Sequence, residues 1–204
     1  FDETKSEGTD LVIYTSHCDP RIEEYKSVLK DRNLIVGERL PISHVYNYCS
    51  RLYPEYKYYG EVCDDHVYHT KNWDDILIKE IESHGSWGMS WGWGMIHPRD
   101  VRLPQAAIMS GNLVKALGFF STPIITSAYN GRFAIDLCDA LNMGFYRPDV
   151  IVEHKHVLNN KAQMDDNYKW VLSGETLEIG KKQYEEWRNN HMQEDVERVR
   201  RAMA

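Results

Sequence analysis

The stretch YKYYGEVCDDHVYHTKNWDD, Tyr56 to Asp75, decides how the rest of the chain is read. Tyr56 to Cys63 is an aromatic-rich apolar run with the length and composition of a buried strand. It breaks into three consecutive side chains able to ligate a metal, Asp64, Asp65 and His66. A strand that ends this way sets carboxylates and an imidazole at the carboxyl edge of a sheet, where open α/β folds bind ligands. After a short loop, Thr70 is placed to cap a helix whose Trp73, Ile76, Leu77 and Ile81 recur at helical spacing. Carboxylate plus imidazole suits Mn²⁺, Zn²⁺ or Fe²⁺, and such an ion in turn suits a diphosphate. The plainer alternative is a strand that simply ends in surface acids.

Upstream, residues 1–10 are polar and read as a tail or linker, and Leu11 to Thr15 as a short strand. Asp19 followed by Pro20 is a helix start, with Ile22, Tyr25, Val28 and Leu29 on one face. Asn33 to Val36 is a second strand, and a loop carrying Arg39 leads to a helix that holds Asn47 and stops at Pro54. The alternation of strand and helix predicts an α/β fold, a mostly parallel sheet flanked by helices.

Downstream, SWGMSWGWGMI (Ser86 to Ile96) alternates Trp and Gly, as in a core strand whose glycines admit a close backbone or ligand. Even spacing puts Trp87, Trp91 and Trp93 on one face. Leu103-Pro104 leads into Ala106 to Met109, and Ser110 caps a helix that Gly118 closes. A further helix carries Phe133, Leu137, Ala140 and Leu141. Phe145 to Val152 is the last strand, and Pro148 inside it predicts an edge or a bulge. That strand ends in Glu153-His154-Lys155-His156, a second metal-capable cluster. From Lys161 the chain is charged and helical, with Tyr168, Trp170, Tyr184 and Trp187 as docking points and 188–204 as a solvated helix.

The bulk properties exclude several classes. The 204 residues suffice for one good-sized core or two small ones at most, and 42% hydrophobic content is globular. A net charge of −7 without a basic patch argues against nucleic acid as the main partner. No apolar run approaches 18 residues, which predicts no membrane partner. Cys18, Cys49, Cys63 and Cys138 form no CxxC pair and read as free thiols of a reducing, cytoplasmic compartment.

Together these segments resemble a glycosyltransferase of the GT-A fold, of the short family-two-like kind found in phages and bacteria. Gly60-Glu61-Val62-Cys63-Asp64-Asp65-His66 looks like the strand delivering the family's DxD motif, here in a DxH form. Leu103-Pro104 through Ser110 to Gly118 resembles the segment entering the acceptor-side helix. Asp136-Leu137 followed by Pro148 to His154 resembles the late strand whose His completes the metal site, and His156, Lys161-Ala162, Asp165 and Tyr168 resemble the family's tail. The likeness covers about residues 11–170, with residues 161–204 as a C-terminal helical extension.

The resemblance implies transfer of a sugar from a nucleotide-sugar donor with Mn²⁺ or Mg²⁺. It implies Asp64, His66 and His154 as metal ligands, and Asp65, Arg39 and Asn47 on the donor side. Two departures accompany it. The family's first strand is missing or lies upstream of Phe1, which predicts association with an upstream segment or larger assembly. Asn130-Gly131 and Met95-Ile96 stand where acids are expected, leaving the general base unassigned. Two rivals follow: a metal hydrolase using the same cluster on water, and a degenerate, non-catalytic transferase-like module for carbohydrate binding or structure.

Overall fold

Val12–Ser16 (β1) and Asn33–Gly37 (β2) pair in parallel through the helix Ile22–Leu29 (α1), as a βαβ crossover requires. Asp19 starts that helix by accepting the Arg21 N–H at 2.8 Å. The structure is a computed structural model and describes residues 1–29, 33–95, 103–157 and 160–204. Ile42–Leu52 (α2) follows, then Tyr58–Gly60 (β3), His66–Tyr68 (β4) and Trp73–Ser83 (α3). Met89–Trp93 (β5), Gln105–Ser110 (β6), Gly111–Leu117 (α4), Asn130–Leu141 (α5) and Gly144–His154 (β7) complete the sheet region. Asp166–Val171 (α6), Gly174–Asn190 (α7) and Met192–Met203 (α8) end the chain.

The fold is α/β, but the sheet is mixed where a mostly parallel one is predicted. The larger sheet has the order β3-β6-β5-β7-β4. Only β5 and β7 run parallel in it; β3–β6, β5–β6 and β4–β7 are antiparallel. Parallel pairs occur where helices form the crossover, α1 for β1–β2 and α4–α5 for β5–β7. β6 runs back antiparallel to β5.

Alternation along β6 divides the core. Ala106 and Ile108 face α3, packing with Leu77, Ile81, Val150 and Val152. Ala107 and Met109 face the other way, into a cluster with Met89, Trp91, Leu113, Phe133, Leu137, Trp187 and Val199. The helix 192–203 is therefore no solvated appendage: Val196 and Val199 are buried in the main core. Tyr184 and Trp187 are buried beside them, while Trp170 is exposed.

The glycines of the Trp-rich strand serve backbone approach. A Cβ on Gly92 would collide with the Val150 carbonyl across the β5–β7 pair. The register of that pair shifts between Gly92 and Trp93, opposite the segment that holds Pro148. Pro148 thus marks a bulge in an inner strand, not an edge. Met95 lies in the described chain, whereas Ile96 lies outside the described residues.

Residues 1–10 lie against α3. Phe1 packs edge-on to Tyr68 and Trp73, and the buried Asp74 carboxylate accepts from Ser6 N, Ser6 Oγ and Thr9 Oγ1. Among the described residues no helix is long and apolar enough to cross a membrane.

Candidate functional site

The predicted strand from Tyr56 to Cys63 is shorter than its apolar run: β3 stops at Gly60. Residues 61–65 leave it, a turn closed by His66 N–H to Cys63 O at 3.1 Å carries Asp64 and Asp65, and His66 opens β4. The acids therefore occupy a turn between two short strands. Thr70 does not cap α3, whose N-cap position is Asn72. Its hydroxyl instead accepts from Ile151 N at 2.8 Å and donates to Asp149 O at 3.2 Å, pinning the turn region to β7.

Antiparallel pairing of β4 with β7 places His66 directly opposite His154. Their rings meet edge to face at 4.8 Å, and His154 meets His156 at 5.0 Å. His154 Nε2 lies 2.8 Å from Asp65 Oδ2, and the Tyr168 hydroxyl donates to the same oxygen at 2.7 Å. Lys155 N–H donates to the Asp65 carbonyl at 2.9 Å, tying the turn to the end of β7. The two clusters, some ninety positions apart in sequence, thus form one site.

Burial opposes ionisation of Asp65, but the bonds from His154 and Tyr168 prevail and hold its carboxyl down at about 2. Burial and the bond to Asp65 push the Tyr168 phenol up. The bonds from His154 and Tyr168 both reach Oδ2; Oδ1 of Asp65 is buried with no hydrogen-bond partner among the described residues. A carboxylate oxygen so placed suits a cation. His66 Nδ1 accepts the Cys63 backbone N–H at 3.3 Å, so an ion that takes this ring's lone pair displaces that bond. Cys63 Sγ, an Asp65 oxygen and a His66 nitrogen lie within 4.8 Å of one another. The donor set present therefore fits a divalent ion.

The other predicted site residues are distributed as follows. Asp64 is exposed on the turn, near enough for its charge to raise the Cys63 thiol and the Tyr168 phenol. Asn47 is buried, and its amide is spent on the backbone: Oδ1 accepts Phe120 N at 2.8 Å and Ser121 N at 3.0 Å, and Nδ2 donates to Ser121 O at 2.7 Å. It clamps the loop after α4. Arg39 is exposed on the loop after β2. Glu153 is bound by Lys161 at 2.6 Å and His69 at 2.9 Å, which hold its carboxyl down at about 2.

Two residues not singled out from the sequence adjoin the site. Cys63 is exposed on the surface turn; desolvation by the groups around it, then the charges of Glu61, Asp65 and Asp64, push its thiol up to about 12. Glu61 is pushed up to about 7 by burial, against a hydrogen bond from Tyr46. It lines a small cavity of about 30 Å³ with Phe120, Ser121, Asn130 and Gly131. Asn130 there is engaged with Ser121 Oγ at 3.0 Å and Ser127 O at 2.8 Å. Comparison of the chain with protein-family models, with curated proteins and with solved structures gives no match.

Proposed function

We propose that the chain is a metal-dependent glycosyltransferase of GT-A type, transferring a sugar from a nucleotide-sugar donor. The observation that carries the reading is the convergence of Asp65, His66, His154 and Tyr168 at the β4–β7 junction. Asp65 Oδ1 and His66 would hold the ion, Mn²⁺ or Mg²⁺. His154 and Tyr168 orient Asp65 through its other oxygen, an arrangement that fixes a ligand before the ion arrives. A bound divalent ion supplies the Lewis acid that stabilises the departing diphosphate. Lys155 follows the same strand end and adds positive charge for that group, while Lys161 is paired with Glu153. Glu61 is the acid closest in kind to a base poised near neutral pH, at the end of β3 beside Asn130.

A second reading is a transferase-like module that binds carbohydrate or a partner without turnover. It is favoured by the engagement of Asn130 with Ser121 and Ser127, where the resemblance expects an acid. One experiment separates the two. Product release from a panel of nucleotide sugars is measured with and without Mn²⁺, Mg²⁺ or Zn²⁺, beside His66→Ala. Transfer requires turnover that depends on a divalent ion and falls on the order of 10³-fold in the variant, the rate equivalent of about 4 kcal/mol. Equal background rates in both proteins, together with a sugar-induced rise in melting temperature, establish the binding module instead.

A further inference from the structure

We infer that Cys63 is a direct ligand of the ion, so that the site is a thiolate-bearing centre for zinc-class ions and not one built for Mn²⁺ or Mg²⁺. The inference rests on the ion's place proposed above and changes its identity. The turn itself gathers the donors. With His66 N–H bonded to Cys63 O, residues 63 and 66 are folded face to face, and Asp65 is brought in by His154 and Tyr168. One atom from each of Cys63, Asp65 and His66 then lies within 4.8 Å of the other two, while Asp64 is exposed and outside that group.

The distances suit a tetrahedral ion after modest closure. Bonds of about 2.3 Å to sulfur and about 2.0–2.2 Å to nitrogen and oxygen require ligand atoms roughly 3.3–3.8 Å apart. Rotation of the Cys63 side chain on its surface turn provides the remaining contraction of about 1 Å, since bond rotation between staggered states moves a terminal sulfur that far. The thiol proton leaves to solvent as the ion binds.

Donor chemistry then decides the metal. Oxygen ligands and water suit Mg²⁺ and Mn²⁺, whereas a thiolate with an imidazole selects Zn²⁺ and its spectroscopic surrogate Co²⁺. Three protein ligands, with His154 and Tyr168 retained as outer partners on Asp65 Oδ2, leave the fourth position open. A diphosphate oxygen fits that position.

The test uses the full chain freed of metal and titrated with Co²⁺ alone, then with Zn²⁺ and Mn²⁺ in competition. The intact protein and Cys18→Ser, which alters an exposed cysteine away from the site, should show a thiolate-to-cobalt charge-transfer band. Cys63→Ser should lack it and bind Zn²⁺ at least about 100-fold more weakly, the upper end of the cost of losing an outer partner. If Cys63→Ser does not fold, alkylation of the intact chain gives the same answer: Zn²⁺ should shield Cys63 while Cys18 still reacts. Cobalt bound without a sulfur band, a band surviving in Cys63→Ser, or no shielding overturns the inference. Preference for Mn²⁺, unchanged by Cys63→Ser, also overturns it, yet leaves the transferase reading standing. Failure of that reading is seen separately, as absent nucleotide-sugar turnover with any of the ions.

Discussion

Glu61 shows how one residue can carry a property that its neighbours in sequence conceal. Inside YKYYGEVC it reads as the polar face of a strand, and only the fold encloses it, beside Tyr46 and a cavity of about 30 Å³, large enough for a water or two. Its carboxyl rises from 4.5 to about 7 because burial disfavours the charged form. The native state then binds a proton more tightly than the unfolded chain between those values. Stability from this group is therefore complete below about pH 4.5 and is lost as pH rises to about 7. The loss should amount to at most about 3 kcal/mol, at 1.36 kcal/mol per pH unit of difference. Urea unfolding at pH 5 and pH 8, in chelator, should show it in the parent and not in Glu61→Gln. Parallel pH profiles for the two proteins would show that the carboxyl reaches water. The sequence assigns Asp64 to the ion and Asp65 to the donor side; two adjacent aspartates are equivalent on paper, and the bonds from His154 and Tyr168 distinguish them.

At the level of elements, what was readable was local. Ser110 accepts from Leu113 N and Gly118 takes a φ of 82°, so the helix between them begins and ends where its capping residues place it. Within the Trp-Gly segment Met89–Trp93 is a strand with Trp87 before it, and Gly88 and Gly92 do admit close backbone. Pairing direction was not readable, because whether β6 returns antiparallel depends on partners dozens of residues away. The acidic turn was misplaced for a similar reason: the apolar run continues past the point where β3 stops pairing with β6 at Gly60. Gly92 offers the test at this scale. Gly92→Ala sets a methyl against the Val150 carbonyl and 2.9 Å from its Cγ1, in the parallel pair that positions His154. Overpacking of this kind costs about 1–3 kcal/mol. The denaturation midpoint should fall accordingly, with a changed near-ultraviolet signal from Trp91, which pairs one position away. An unaltered midpoint would mean that the two strands can separate freely at the bulge.

Taken as a whole, the molecule is closed by its two ends, and neither closure is visible in composition. Residues 1–10 look like a tail because they are polar, yet their polar atoms are what the buried Asp74 needs. The last helix looks solvated because its few apolar positions are diluted by charge, yet Val196 and Val199 complete the core around Trp187. Trp187 is fully buried, edge-on to Phe133 at 4.6 Å, and its Nε1–H donates to Asp195 at 2.9 Å across the α7–α8 corner. Burial raises the Asp195 carboxyl while that bond and Arg198 oppose the rise. Removing the indole deletes a large core side chain and should cost about 3–5 kcal/mol, a large share of the total for a domain whose net stability is about 5–15 kcal/mol. Asp195→Ala leaves the indole N–H buried and unpaired and should cost about 1–3 kcal/mol. Because the two groups satisfy each other, the double variant should be less destabilised than the sum of the singles, by about 0.5–3 kcal/mol. Urea unfolding of the four proteins measures this directly. Strict additivity would show that the Trp187–Asp195 bond contributes nothing to anchoring the C-terminal helices on the sheet.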